Sequence, residues 1–214
     1  MWDWLRERQR CARWLRRDWR DVEWVVVDIE TNGLDAKFQG ILSMAWVTLN
    51  ANGIDLGSAH YHVIRATQVL NQSVIHHGLT QADIAGGEDL VVVLQQFADA
   101  LNQRVLVAHN APFDWRLLRQ AATATQTSLS PLAVLDTLAL ERNQRSARYR
   151  QLHTGDTEHN AYTLSACRQR YGLPAKPAHH ALEDAVACGE LFLAQAWQIA
   201  GKQPLSAARL IARG

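Results

Sequence analysis

Cysteine is scarce in this sequence of 214 residues, and the positions of its three cysteines exclude two common kinds of site. Cys11, Cys167 and Cys188 are odd in number, which does not suit a framework of disulfides. No two of them have the Cys-x-x-Cys spacing of a zinc or redox motif. Unpaired thiols are typical of a reducing compartment, so we expect a cytoplasmic protein.

Glycine, proline and long apolar runs are also limited. The 12 glycines and 5 prolines, with 48% hydrophobic and 20% charged residues, are typical of a globular protein and exclude a disordered or fibrous one. The longest apolar runs, at 24–27 and 90–94, fall far short of the ~20 residues that cross a bilayer. The first residues also lack the apolar stretch of a signal peptide. We therefore expect a soluble protein with no membrane partner.

Positive charge is absent from residues 69–101 and concentrated at the N-terminus, although the formal net charge is only +1. The first 20 residues contain seven arginines, and apolar residues recur there with a helical period, which predicts a helix over 3–22. Arginines with interleaved tryptophans can bind phosphates and stack on bases. We favour the alternative, in which the tryptophans pack on the rest of the chain, on a second copy in a homodimer or on a polymerase subunit. A helix on a membrane surface is a third interpretation.

The remaining sequence predicts one α/β domain with a mixed sheet. Three strands follow one another as a meander, with the hairpin signal Asn52-Gly53 before the third. Two parallel strands then alternate with helices, and the helices flank the sheet. The predicted strands are at 24–29, 40–49, 54–64, 105–108 and 134–135. The predicted helices are at 88–102, from Pro112, directly after Thr137, at 161–171, at 180–199 and after Pro204, with a polar loop over 143–160.

Four acidic side chains stand where such a fold exposes them. Asp28 and Glu30 end the first strand two residues apart, so both point to one face of the sheet. Asp114 falls in the first turn of a helix, and Asp184 in the helix that begins near His180. Each acid alone also fits a solvated strand end or an acid that favours the helix dipole. Together they require a cation, and hard oxygen ligands suit Mg²⁺ or Mn²⁺.

Three segments, in order, resemble the motifs of one enzyme family. VVVDIETNGLD at 25–35, VAHNAPFDWRLL at 107–118 and HHALEDA at 179–185 are similar to those of the DnaQ-like 3′–5′ exonucleases, in the subclass with a histidine in the third motif. This family includes the epsilon exonuclease subunit of DNA polymerase III. The resemblance implies an RNase H-like fold, two divalent metal ions and removal of nucleoside 5′-monophosphates from a 3′ end. It also implies a role for five residues: Asp28, Glu30, Asp114 and Asp184 as metal ligands, and His179 as the general base.

Phosphodiester hydrolysis explains why these residue types are needed. Two metal ions about 3.5–4 Å apart stabilise both the attacking and the leaving oxygen. A histidine with an ordinary pKa of about 6.5 can take the proton from the attacking water near neutral pH. Two histidines compete for this role. His180 lies four residues before Asp184 and would share its helix face, whereas the family pattern His-x-Ala-x-x-Asp selects His179.

Neighbours of the acids are candidates for contact with the terminal nucleotide. The resemblance implies that Thr31 hydrogen-bonds to it, that Leu34 wedges against a base, that His109 and Asn110 shape the site, and that Phe113 packs near the 3′ nucleotide. The segment from Thr31 to Leu34 also fits a simple turn.

Arginines in and beside the predicted loop over 143–160 are candidates for holding the backbone of a single strand. The alternative is a solvated loop. The four arginines concerned are Arg142, Arg145, Arg148 and Arg150.

We therefore predict three parts: a basic, tryptophan-rich helical extension (1–22), an RNase H-like exonuclease domain (23–200) and a short C-terminal tail (201–214). The domain is expected to degrade the 3′ end of single-stranded nucleic acid, with DNA favoured over RNA, in DNA repair or replication. One alternative is a short-RNA exoribonuclease. Another is a non-catalytic proofreading or binding accessory protein, against which the presence of all five catalytic residues counts.

Overall fold

The computed structural model describes residues 13–32, 40–66, 78–149, 161–176 and 179–214. Its strands are Trp24–Thr31 (β1), Ile41–Asn50 (β2), Gly53–Val63 (β3), Val105–Ala108 (β4) and Val134–Asp136 (β5). Its helices are Gln81–Ala85 (α1), Leu90–Leu101 (α2), Ala111–Thr125 (α3), Thr137–Tyr149 (α4), Leu164–Arg170 (α5), Ala181–Ala200 (α6) and Ala207–Ile211 (α7). In the described parts of the chain, no helix is long and apolar enough to cross a membrane.

The five strands form one sheet in the order β3-β2-β1-β4-β5. The meander β1-β2-β3 is antiparallel, and Gly53 follows the hairpin turn with a φ of 144°, which glycine tolerates. β4 then pairs parallel to β1, and β5 parallel to β4. The predicted mixed sheet, a meander followed by parallel strands, is confirmed.

The two faces of β1 contact different helices. Val25 and Val27 pack in a cluster with Phe97 of α2, whereas Trp24 and Val26 pack with Phe192 of α6. Side chains alternate between the faces of a strand, so the continuation of the second series points toward α6. The acids that end β1 belong to that series.

Helix α6 lies close against the sheet because of one glycine. A Cβ on Gly189 would lie 3.1 Å from side-chain atoms of Ile54 and Leu49 and 3.4 Å from Val26. A larger residue there would push the helix away from β1, β2 and β3. The close approach places the N-terminal turn of α6 beside the end of β1.

The N-terminal extension pairs with the C-terminal tail. Residues 13–15 are helical, but the backbone N–H of Trp19 donates to the carbonyl of Leu205 at 2.9 Å, and the carboxylate of Asp18 accepts from the N–H of Leu205 at 2.8 Å. This pairing requires a non-helical backbone at Asp18 (ψ 142°), so the helix predicted over 3–22 is wrong at 16–18, and 19–21 form a 3₁₀ turn. Residues 1–12 lie outside the described part, so a helix there, and a polymerase or homodimer contact through it, stay predictions.

Helix α4 is longer than predicted. It continues to Tyr149, so the loop predicted over 143–160 is wrong for 143–149, and Arg142, Arg145 and Arg148 are helical positions. Buried contacts explain the extension, because Glu141 of α4 pairs with Arg170 of α5 at 2.7 Å. The short helix α1 was not predicted. Its capping box, Thr80 with Asp83, was present in the sequence.

Candidate active site

The first two acids lie at the C-terminal end of β1. Asp28 and Glu30 are half-buried and, by the alternation along β1, project from the face that α6 covers. The ladder with β2 shifts register between Glu30, which pairs with Ser43, and Thr31. Such irregularities commonly re-aim side chains next to active sites.

Asp114 reaches the site through a sharp turn between β4 and α3. Asn110 adopts a left-handed backbone (φ 73°), which lets α3 begin three residues after β4 ends at Ala108. Pro112 fits the first helical turn, where no intrahelical amide donor is needed. Asp114 therefore lies in the first turn of α3, and only 6% of its surface is exposed.

Both ring nitrogens of His109 hold this turn in place. Nε2 donates to the carbonyl of Tyr162 at 2.9 Å, since a carbonyl can only accept, and Nδ1 then accepts from the hydroxyl of Thr137 at 2.8 Å. Burial lowers the pKa of His109, which favours the neutral ring with one donor and one acceptor. These bonds join β4 to the start of α4 and to the segment before α5.

Asp136 is a site residue that the sequence analysis did not assign. It ends β5, and its Oδ1 accepts from the backbone N–H groups of Asn110 at 2.9 Å and Leu138 at 3.0 Å. Its charge also contributes to the raised pKa of Asp114. The available signal was an acid directly after a short apolar strand that runs parallel to β4 and so ends at the same edge of the sheet.

The third motif places two histidines and an acid at the start of α6. His180 is the N-cap residue, and Asp184 lies in the first turn. His179 is exposed and has a left-handed φ of 72°. Its backbone N–H donates to Oδ2 of Asp184 at 2.7 Å, which fixes the backbone from which the His179 imidazole projects.

Glu30, His179 and Asp184 come together across two elements. Each offers one ligand atom, and these three atoms all lie within 4.8 Å of one another, which is close enough to share a metal ion. Asp28 belongs to the same group electrostatically, because the charges of Asp114, Asp184 and Glu30 all contribute to its pKa after burial, the main cause. The four predicted acids and His179 are thus brought to one end of the sheet.

Burial and mutual repulsion keep protons on the acids when no cation is bound. Burial is the main cause in each case: it raises the pKa of Asp114 to about 8, raises the pKa of Asp28 well above its ordinary value, and raises that of Asp184. Carboxylates that crowd together away from water either hold protons or bind cations. Carboxylate oxygens suit hard divalent ions, so the residues present fit a site for such ions.

The residues predicted to contact the nucleotide surround this group, apart from one. Thr31 is half-buried and directly follows Glu30, and Asn110 is exposed at the start of α3. Phe113 is half-buried, with the guanidinium carbon of Arg116 5.5 Å from its ring centroid. Leu34 lies outside the described residues.

Sequence comparison finds one family and longer relatives. The exonuclease family profile RNase T matches residues 25–192. The PolC-type DNA polymerase III of Thermotoga maritima is 28% identical over 173 residues, which cover 81% of this chain and 12% of the polymerase. That of Listeria innocua is 31% identical over 183 residues, which cover 84% of this chain and 11% of the polymerase. The chain therefore spans a small part of these relatives.

Solved structures share the fold. Exonuclease I of E. coli, in complex with a dT13 oligonucleotide, has a TM-score of 0.66 and 15% identity, over 83% of this chain and 41% of the other. A 3′-exonuclease that recognises the 3′ end of a histone mRNA stem-loop has a TM-score of 0.67 and 12% identity, over 95% of this chain and 73% of the other. These likenesses confirm the predicted RNase H-like fold.

Proposed function

Because this chain belongs to the exonuclease family, whose profile matches residues 25–192, we propose that it hydrolyses the phosphodiester bond at the 3′ end of single-stranded nucleic acid and releases nucleoside 5′-monophosphates. The observation that carries the proposal is the convergence of four acids and one histidine from β1, α3 and α6 at one end of the sheet. A binding protein without activity would have no need of so costly a cluster of buried carboxylates.

We propose that the four carboxylates hold two Mg²⁺ or Mn²⁺ ions. Such ions, when bound, supply Lewis-acid stabilisation of the negative charge that develops on the phosphate and on the leaving 3′ oxygen. The chain prepares the site by burying Asp28 and Asp114 next to each other's charge. Their raised pKa values mean that these groups give up protons as positive charge enters.

His179 is the residue that takes the proton from the attacking water. It is exposed, and a ring nitrogen lies within 4.8 Å of carboxylate oxygens of Glu30 and Asp184. His180 is less suited, because its ring stacks on that of Tyr61 with centroids 4.6 Å apart. The structure therefore supports the family register over the alternative based on helix spacing alone.

Thr31, Asn110 and Phe113 are the described candidates for binding the terminal nucleotide. They adjoin the acids on β1 and α3, and Phe113 offers a half-buried ring for packing against a base or sugar. DNA is the favoured substrate because the PolC-type relatives are DNA polymerases, which also supports a role in DNA replication or repair. A short RNA is the second candidate, because one structural neighbour is an exonuclease that recognises an RNA.

The direction and the product can be tested together. A single strand of about twenty nucleotides, labelled at its 5′ end, should yield a ladder of shortening labelled products in Mg²⁺ or Mn²⁺ and no product in EDTA. Attack from the 5′ end would instead release the label at once. Asp28→Asn is the control for a contaminating nuclease. Binding without degradation would favour the non-catalytic alternative, and faster loss of an RNA of the same length would favour the exoribonuclease.

A further inference from the structure

Three arginines surround one tyrosine ring next to the candidate active site. The guanidinium carbons of Arg142, Arg145 and Arg170 lie 5.2, 5.4 and 5.8 Å from the ring centroid of Tyr162. Arg142 and Arg145 stand three residues apart on α4, so they share a helix face, and Arg170 ends α5. We refer to these three residues as the arginine cluster.

The backbone of Tyr162 joins the arginine cluster to the site. Its carbonyl accepts the hydrogen bond from Nε2 of His109, and the other ring nitrogen of His109 bonds to Thr137, the first residue of α4. Burial lowers the pKa of His109, whereas the charges of Glu141 and Asp184 both oppose this shift. The same imidazole therefore lies near an acid of the proposed metal site and near the buried acid beside the arginines.

The arginine cluster carries more positive charge than its buried acid can balance. Glu141 is the partner of Arg170, with Nε to Oε1 at 2.7 Å, and its second oxygen accepts from the hydroxyl of Tyr171 at 3.0 Å. Arg142 is exposed, and no carboxylate among the described residues forms an ion pair with it. An aromatic face attracts cations weakly and cannot neutralise them. Guanidinium groups gathered in this way match the oxygens of phosphate groups.

We propose that the arginine cluster and Tyr162 bind the sugar–phosphate backbone of the substrate strand on the 5′ side of the bond that is cut. The proposal rests on the proposed function, because a 3′ end held at the acids leaves only 5′ nucleotides to continue along the surface. Phosphate contacts fix the position of a strand without reading its sequence. The arginine cluster therefore increases the affinity for strands longer than the terminal nucleotides, with no preference among bases.

Two substrates separate this role from the chemistry. The first is a fluorescein-labelled strand of about ten thymidines, whose binding is measured by anisotropy in EDTA, where no hydrolysis occurs. The second is the p-nitrophenyl ester of thymidine 5′-monophosphate, whose hydrolysis in Mn²⁺ needs the acids and offers no 5′ strand. The full chain is used throughout.

The test variant is Arg142→Gln with Arg145→Gln, and Arg170 is left in place because it balances buried Glu141. Binding of the ten-mer should weaken by about tenfold or more, and the slope of log affinity against log salt should fall by about 1.4, since each phosphate contact contributes about 0.7 for single strands. KM for a long strand should rise with kcat unchanged. Both constants for the ester should stay at the wild-type values.

The control pair is Lys202→Gln with Arg209→Gln. It removes the same charge from two exposed residues beyond the far end of α6 and should leave binding and salt slope unchanged. Arg142→Lys with Arg145→Lys keeps the charge and should retain the wild-type slope, which also covers the case in which the glutamine pair fails to fold. An unchanged slope in the glutamine pair, or an equal loss of activity on the ester, would overturn the proposal. If the wild type hydrolyses neither substrate but its binding in EDTA still depends on these arginines, the proposed function fails and the binding surface stands.

Discussion

The ring of Tyr61 on β3 stacks on the ring of His180 at the start of α6, with centroids 4.6 Å apart and an angle of 24° between the planes. The hydroxyl of Tyr61 also hydrogen-bonds to Ser43 on β2. His180 is therefore packed against the antiparallel part of the sheet, whereas the adjacent His179 lies with Glu30 and Asp184. The two histidines of the third motif have different surroundings, which predicts different effects when each is replaced.

His179→Ala should lower the rate of nucleotide release by about 10²–10⁴-fold, the usual contribution of a general base. Metal binding, measured by calorimetry, should change little, because the four carboxylates remain. His180→Ala should lower the rate much less and reduce the melting temperature slightly, because it removes only the stacking contact with Tyr61. Single-turnover kinetics with a saturating single strand compares the two variants. A larger loss of rate in His180→Ala would show that the register of the third motif is wrong.

Asp114→Asn should reduce nucleotide release below about a tenth of the wild-type rate and should raise the melting temperature in EDTA at pH 8. The amide keeps the shape of the side chain but carries no charge in a place where burial already raises the pKa of the acid to about 8. The metal-free variant therefore has one less charge to bury. Differential scanning fluorimetry with and without Mn²⁺ measures both the gain and the expected loss of stabilisation by metal.

The matched control for this variant is Asp99→Asn, which changes an exposed aspartate on α2. It should leave activity, melting temperature and the response to Mn²⁺ unchanged. Wild-type activity in Asp114→Asn would remove Asp114 from the metal site.

In EDTA, the stability of the protein should decrease as the pH rises from about 5 to about 8. Folded Asp114 keeps its proton up to a pKa of about 8, whereas an unfolded aspartate loses it at about pH 4. Between these values the folded state binds more protons, so the stability is complete at low pH and is lost as the pH rises. The raised pKa values of Asp28 and Asp184 act in the same direction. Urea titrations over this range give the free energy of unfolding at each pH.

Saturating Mg²⁺ should flatten this dependence, because the ion replaces the protons on the carboxylates. Asp114→Asn should flatten it in part, even in EDTA. A metal-free protein whose stability rises between these pH values would contradict the crowding of the acids.

Local patterns in the sequence predicted the elements that hold the site. The alternation along β1 placed Asp28 and Glu30 on one face, and the hairpin signal at Gly53 fixed the order of β2 and β3. The spacing in the third motif placed Asp184 in the first turn of α6. These features depend on residues that are near neighbours in the chain, so the sequence contains them directly.

Features that depend on distant partners were not predictable in the same way. The helical period in the N-terminal extension is real, but Asp18 and Trp19 bond to Leu205, and those contacts outweigh the local preference. Asp136 gains its place only through the bond to the backbone of Asn110 on a neighbouring element. The arginines of α4 suggested a loop because the buried pair of Glu141 with Arg170 that supports the helix lies across two elements.

The last prediction concerns Trp19, which links the N-terminal extension to the domain. It is fully buried and packs edge-on against Phe192 and Trp197, with centroids 6.3 and 5.2 Å away. Trp19→Ala should therefore reduce the free energy of unfolding by about 3–5 kcal/mol, as a large cavity in a core does. Trp14→Ala is the matched control from the same segment, since this half-buried ring contacts the guanidinium of Arg17 at 4.4 Å and should cost only about 1 kcal/mol. Urea titrations measure both values. If the extension acts by packing, neither variant changes the salt dependence of strand binding; an unchanged stability in Trp19→Ala with a smaller salt slope would instead assign the segment to the nucleic acid.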